Sequence, residues 1–239
     1  MPAFLQAEWR KYPLFASTGL VAAMPLGVVL LKTLGFLLRK PYLLERDRFH
    51  WQAFLQTGHM EWTQMLLPLT MASWAVYLWW LEQEGNTWKT LFIQPHGRSK
   101  TYLAKLFILG LWLGLFFALN GLAHLAAGLL LFSGQTVPLM ELGRFHLWGV
   151  VFAGPVLLAQ NWLTLRFPHP MVPLVLCLTG NIVALVGSGL WLRAFPWHYC
   201  RWIGTLSVDN HLPVLASCLG LSFFMLLLGY WESLRKEVL

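Results

Sequence analysis

The chain runs to 239 residues, of which 57% are hydrophobic and only 11% charged, with a mean hydropathy of +0.58. Soluble domains carry about 25% charged residues, so this composition excludes an ordinary aqueous surface and points to a bilayer. The net charge of +7 does not indicate nucleic acid, because the basic residues flank apolar runs as head-group anchors do.

The pattern predicts an all-α integral membrane protein, residues 1–239 forming one transmembrane domain. Residues 1–12 read as an interfacial helix: Pro2 suits its first turn, and Phe4, Leu5, Trp9 and Tyr12 can lie on lipid with Glu8 and Arg10 turned to water. Six apolar stretches follow, at 14–31, 62–81, 104–132, 145–165, 171–192 and 213–231. Each supplies about the 20 residues that a spanning helix needs. The first is long enough to cross and is not followed by a small-residue cleavage site, so a cleavable signal peptide is not expected. In the fifth, Pro173, Gly180, Gly187 and Gly189 invite kinks, and the glycine spacing offers a close-packing face, although the default reading is ordinary membrane-helix glycines. The loop between the first two, Lys32 to Glu61, interleaves Arg39, Lys40, Arg46 and Arg48 with Phe36, Tyr42, Phe49 and Trp51, and reads by default as a solvated charged loop.

The polar connection between the second and third stretches is the most informative segment. Trp88, Leu91 and Phe92 recur at i, i+3 and i+4 and so share one side of a short helix over 86–94. Asn86 or Thr87 caps it, Pro95 and Gly97 end it, and Ser99 caps the next helix. A connector has no need of an aromatic helix in an exposed loop; a second protein can grip one. Over residues 82–106 the string E-x-x-x-N-T-W-K-x-L-x-x-x-P-x-x-R-S-K-x-Y-L-x-K-L resembles the loop after the second span of ABC-2-type permeases. Within these it is most similar to the lantibiotic (bacitracin-like) immunity and export permeases.

The resemblance implies a type V exporter-like fold of six transmembrane helices, with an N-terminal elbow helix and a cytoplasmic coupling helix. That helix would dock into a groove on a separate ABC ATPase. Trp88, Leu91 and Phe92 would fill the groove, while Lys89 and Arg98 pair with acidic groups at its rim. Glu82 and Glu84 end the second helix, where carboxylates oppose the helix dipole. A salt bridge to the partner or between loops would explain them; the equal alternative is that they merely mark the water boundary. ATP and magnesium belong to the ATPase, since no G-x-x-x-x-G-K-[ST] loop occurs in the sequence. Only seven residues follow Glu232, so a fused nucleotide domain is not expected, nor is any cofactor. Six spans being half the usual twelve, a second permease, identical or paralogous, is implied.

Charge alone barely votes on orientation. With both termini cytoplasmic, nine of the basic residues lie inside and eight outside. The resemblance decides for cytoplasmic termini in a bacterial inner membrane. Pro196-Trp197-His198-Tyr199 resembles a Pro-Trp-x-Tyr-Pro stretch of the same subgroup, with Cys200 where a proline is usual. Permeases of this type carry re-entrant helices there; an interfacial aromatic belt is the equal alternative.

The eight His and three Cys show no metal spacing, and no metal or haem is expected. His124 is the one histidine deep in a clear span. Intramembrane polar groups are expensive to bury. Asn120 and His124, one turn apart, Gln160 with Asn161, and Asn181 are candidates for a substrate path. The competing reading is a set of interhelical hydrogen bonds, each contributing on the order of 1 kcal/mol. The expected function is the permease subunit of an ABC exporter for a hydrophobic or amphipathic compound, such as an antimicrobial peptide or a lipid-linked molecule. The alternative is a membrane-embedded enzyme or redox subunit using His and Cys, which lacks a paired acid or a nucleophile elbow.

Overall fold

The computed structural model describes residues 11, 14–56, 59–84, 97–167, 169–204 and 211–235. The described residues form eight α-helices and two 3-10 helices: α1 (Leu14–Leu38), α2 (Lys40–Glu45), α3 (Trp51–Gln56), α4 (His59–Glu84), α5 (Gly97–Leu131), α6 (Leu139–Arg166), α7 (Met171–Val186), the 3-10 turns Leu190–Ala194 and Pro196–Gly204, and α8 (His211–Arg235).

Four of these contain stretches long and apolar enough to cross a membrane, at Val21–Leu38, Ser99–Leu131, Leu139–Arg166 and Leu212–Arg235. The apolar α7, Met171–Val186, is shorter. In α4 the uncharged run Met65–Leu81 is flanked by Glu61, Glu82 and Glu84. Large apolar side chains such as Leu30, Leu130, Leu147 and Phe223 face outward. This is costly in water and suits hydrocarbon. The molecule is a multi-pass membrane protein.

Helix α6 sits at the centre. It packs on α4, α5, α7 and α8 and on the second 3-10 turn. Its inner face is lined with small and uncharged residues (Gly149, Ala153, Pro155, Val156 and Ala159 among them), which lets neighbouring helices approach without opening polar groups to lipid. The main core gathers Trp74, Trp112, Phe116, Phe117 and Phe152. The rings of Trp74 meet those of Trp112 and Phe116 edge-on at centroid distances of 6.0 and 5.9 Å, a geometry favoured by the aromatic quadrupole.

Three expectations need correction. The first helix does not stop at Leu31: it runs on to Leu38, and Lys32 lies inside it, 7% exposed. Nor is the segment after it a solvated loop. It folds into α2 and α3, and Phe36, Phe49, Trp51 and Phe54 close around Phe132 from the end of α5. Packing these five aromatic rings together outweighs solvating the loop, while Arg39, Lys40, Arg46 and Arg48 stay exposed on its outside.

The fifth stretch also ends early, at Val186 rather than residue 192. Gly189 takes φ +109°, a conformation that a Cβ strongly disfavours, and the chain reverses there into the 3-10 turns. The 196–204 turn folds back into the core. Trp197, Tyr199, Cys200 and Ile203 are all buried. The Trp197 indole lies over Gly180 and donates to Cys177 Sγ at 3.4 Å. Gly180 therefore serves close packing, with an indole rather than another helix as its partner. A Cβ at Gly180 would stand 2.7 Å from that ring. Gly180→Ala should accordingly cost about 1–3 kcal/mol, in line with other over-packed cores. The check is a lowered unfolding midpoint in detergent together with a shifted Trp emission; an unchanged midpoint contradicts the packing assignment.

Candidate coupling site and the buried polar clusters

One end of the bundle is built from the start of α1, the ends of α4, α6 and α8, and the start of α5. Here Glu82, 2% exposed, takes Lys11 Nζ at 3.2 Å and Lys105 Nζ at 3.3 Å on the same carboxylate oxygen. Lys105 is fully buried, donates also to the Leu78 carbonyl, and lies 4.8 Å above the Trp79 ring. The Trp79 indole donates to Asn161 Oδ1 at 2.9 Å. Alongside, Glu232 accepts from Trp162 Nε1 at 2.6 Å and from Arg166 at 3.0 Å, joining the ends of α6 and α8.

These contacts fix the frame from which the 85–96 segment emerges. Glu82 sits two residues before the end of α4, and Lys105 lies two turns into α5. A helix beginning at Gly97 places Lys105 within it, so this lysine is a core residue and not a head-group anchor. The carboxylate of Glu82 is occupied inside the chain and not on an outer surface. Of the other docking candidates, Trp88, Lys89, Leu91 and Phe92 lie outside the described residues, as do the side chains of Glu84 and Arg98. The 1–12 segment lies outside them too, except for Lys11.

The five candidate path residues do not converge. Gln160 and Asn161 belong to the end just described; both are fully buried, and both polar atoms of Gln160 lack a hydrogen-bond partner among the described residues. Asn181 donates to the Met65 carbonyl at 3.1 Å and ties α7 to α4. Asn120 and His124 lie near the far end of α5; His124 is 19 residues beyond Lys105, roughly 28 Å along the helix.

At that far end His124 does not stand alone. His146, near the start of α6, places its ring 6.0 Å from that of His124. The two histidines and Asn120 are joined by hydrogen bonds, and Lys32 completes the group at 3.2 Å from His124 Nε2. Neither Lys32 nor His146 was visible as a partner in the sequence. One clue was available: the apolar run continues past Lys32 through Leu34, Phe36, Leu37 and Leu38. Among the described residues no group of three or more His, Cys, Asp or Glu is placed to hold a metal.

A bundle of long apolar helices with a polar frame at one end defines a polytopic membrane protein. Residues 5–184 match the model of a family described as ABC-2 family transporter protein. That is well over half of the chain, and the protein belongs to this family. It is the membrane component of an ABC transporter, of a kind that is generally not itself catalytic and normally works with an ABC ATPase. No curated protein matches the chain.

Proposed function

We propose that the protein is the permease subunit of an ABC exporter of the lantibiotic-immunity type, moving a hydrophobic or amphipathic compound across a bacterial inner membrane. The observation that carries this reading is the Lys11–Glu82–Lys105 frame at the root of a segment whose sequence resembles a coupling helix, within a chain of the ABC-2 family. In this account six helices cross the membrane, both termini are cytoplasmic, and residues 86–94 form the helix that docks on the ATPase. Trp88, Leu91 and Phe92 are its anchors, with Lys89, Arg98 and Glu84 at the rim. Movement of that helix reaches the bundle through Glu82, which is held by the start of α5 and by the residue leading into α1. Two permeases and two ATPases make the working unit.

The orientation has a direct test. Ser99 is 7% exposed and a poor labelling site, whereas Lys100 is exposed. All three native cysteines are buried and need not be removed. Lys100→Cys should resist an impermeant maleimide in intact cells and react in inverted vesicles. Labelling from outside would place the docking segment away from ATP and contradict the reading.

A further inference from the structure

The outer side of the cap formed by α2 and α3 carries more cations than carboxylates. Arg39, Lys40, Arg46 and Arg48 are exposed there, and Arg144 is exposed near the start of α6. That helix joins the cap through Leu142 in the aromatic cluster and through Glu141, which accepts from Gln52 Nε2 at 3.2 Å. Glu45, Asp47 and Glu141 are exposed at the same end, so five basic groups stand against three acidic ones. No ion pair among the described residues includes any of the five.

Two of the cations are held in place by rings. Lys40 Nζ lies 5.3 Å from the Phe49 centroid, and the Arg46 guanidinium lies 4.4 Å from that of Tyr42. Phe49 packs in turn on Phe36 and Phe132, so the packed side of the cap positions a charge on its outer side. A cation placed in this way loses less freedom when an anion meets it.

The level of this charge follows from the apolar residues beside it. On α1 the outward side chains of Leu30, Leu34 and Leu37 lead up to Leu38, which is 83% exposed, and Arg39 and Lys40 come next. Tyr42 and Leu44 are exposed on the cap itself. A lipid-facing stripe that passes directly into cations ends where acyl chains give way to headgroups. Compartment does not account for these charges. In the orientation proposed above this end faces away from the cytoplasm, the side on which the positive-inside rule disfavours them.

We propose that the cap is a recognition surface for anionic phospholipid. Tyr42 and Leu44 would lie among the upper acyl chains, and the basic groups would meet the negatively charged headgroups. The inference needs the multi-pass membrane character of the chain, and neither ATPase docking nor an exporter's substrate.

The test places a reporter on the cap of the full chain. Leu44→Cys is labelled with bimane, the three native cysteines being buried, and the protein is reconstituted in phosphatidylcholine vesicles. The quenchers are phosphatidylglycerol and phosphatidylcholine brominated on the same chains. At low ionic strength phosphatidylglycerol should be enriched at the cap by about fivefold or more, the effect of a single basic side chain near an anionic surface. High salt should reduce the enrichment. A reporter at Phe223→Cys, exposed at the middle of α8, should show no preference. Arg39→Gln/Lys40→Gln/Arg46→Gln/Arg48→Gln should bring the two lipids close to equality, and Arg39→Lys/Arg46→Lys/Arg48→Lys should keep the preference. Arg39→Gln/Arg48→Gln spares both cations that touch rings and should lower the preference by itself.

Equal quenching of the cap reporter by the two lipids overturns the proposal, as does a preference that survives the fourfold variant. The same preference at Phe223→Cys would make the enrichment a property of the whole lipid annulus, and the proposal would fall. Displacement of phosphatidylglycerol by inorganic phosphate at constant ionic strength would make the cap a free-anion site, and displacement by hexaglutamate an acidic-peptide site. Either outcome overturns the lipid assignment. No ATPase is present in these vesicles, so a failure here leaves ATPase docking untouched, and a failure of docking leaves this surface standing.

Discussion

Glu82→Gln should destabilise the bundle by about 3–5 kcal/mol, because it removes the carboxylate facing a fully buried ammonium. The two lysines on Glu82 do not share this effect equally. Lys11 is 34% exposed and can turn to water, so its half of the bridge contributes about 0–1 kcal/mol. Lys105 is 0% exposed and has no such escape. Lys105→Met should therefore be milder than Glu82→Gln, since Glu82 retains Lys11 and the methionine fills the space beside Trp79. The double variant Glu82→Leu/Lys105→Met should recover most of the loss, as apolar replacements of buried pairs generally do. Denaturation midpoints in detergent measure all three. A Glu82→Gln protein as stable as the parent would mean that the bridge carries no structural weight. If the double variant is stable but no longer stimulates its ATPase, the bridge serves transmission rather than stability.

How far the sequence foretells this arrangement depends on the range of the interactions. Each of the six apolar stretches lies largely within a described helix, because hydropathy acts residue by residue and needs no partner. Helix ends were harder to place. Lys32 looks like a boundary residue and Lys105 like a head-group anchor, but both are buried because groups distant in sequence accept their protons: His124 and Leu55 for the first, Glu82 and Leu78 for the second. The first loop misleads in the same way. Its aromatic residues are satisfied by Phe132, some 80 positions later, and period alone carries no information about such a contact. The early end of α7 is partly legible, since Gly187, Gly189 and Pro196 are punctuation in any sequence. That the following turn folds inward onto Gly180 is not.

Among the candidate path residues, Asn120 and His124 share a cluster, while Gln160 and Asn161 sit at the opposite end and Asn181 is engaged with α4. Spacing along one helix identifies neighbours on that helix, whereas the placement of Lys32 and His146 beside them is a tertiary fact.

The second large effect is expected at Trp88. It is the largest apolar group on the 86–94 segment. Tryptophan is enriched among the few residues that dominate protein interfaces, where truncating an anchor commonly costs at least about 2 kcal/mol, more than tenfold in affinity. Trp88→Ala should release or uncouple the ATPase while leaving membrane insertion intact, because the polar frame of Glu82 and Lys105 lies outside the 86–94 segment. Lys89→Ala, at the rim, should change little, since an exposed ion pair contributes about 0–1 kcal/mol.

The measurement that bears most directly on the docking claim is co-purification of the ABC ATPase with the parent, Trp88→Ala and Lys89→Ala proteins at matched expression in mild detergent. The expected result is retention by the parent and by Lys89→Ala, with at least about tenfold less ATPase on Trp88→Ala. Equal retention by Trp88→Ala and the parent would reduce the 86–94 segment to a connector and contradict the account.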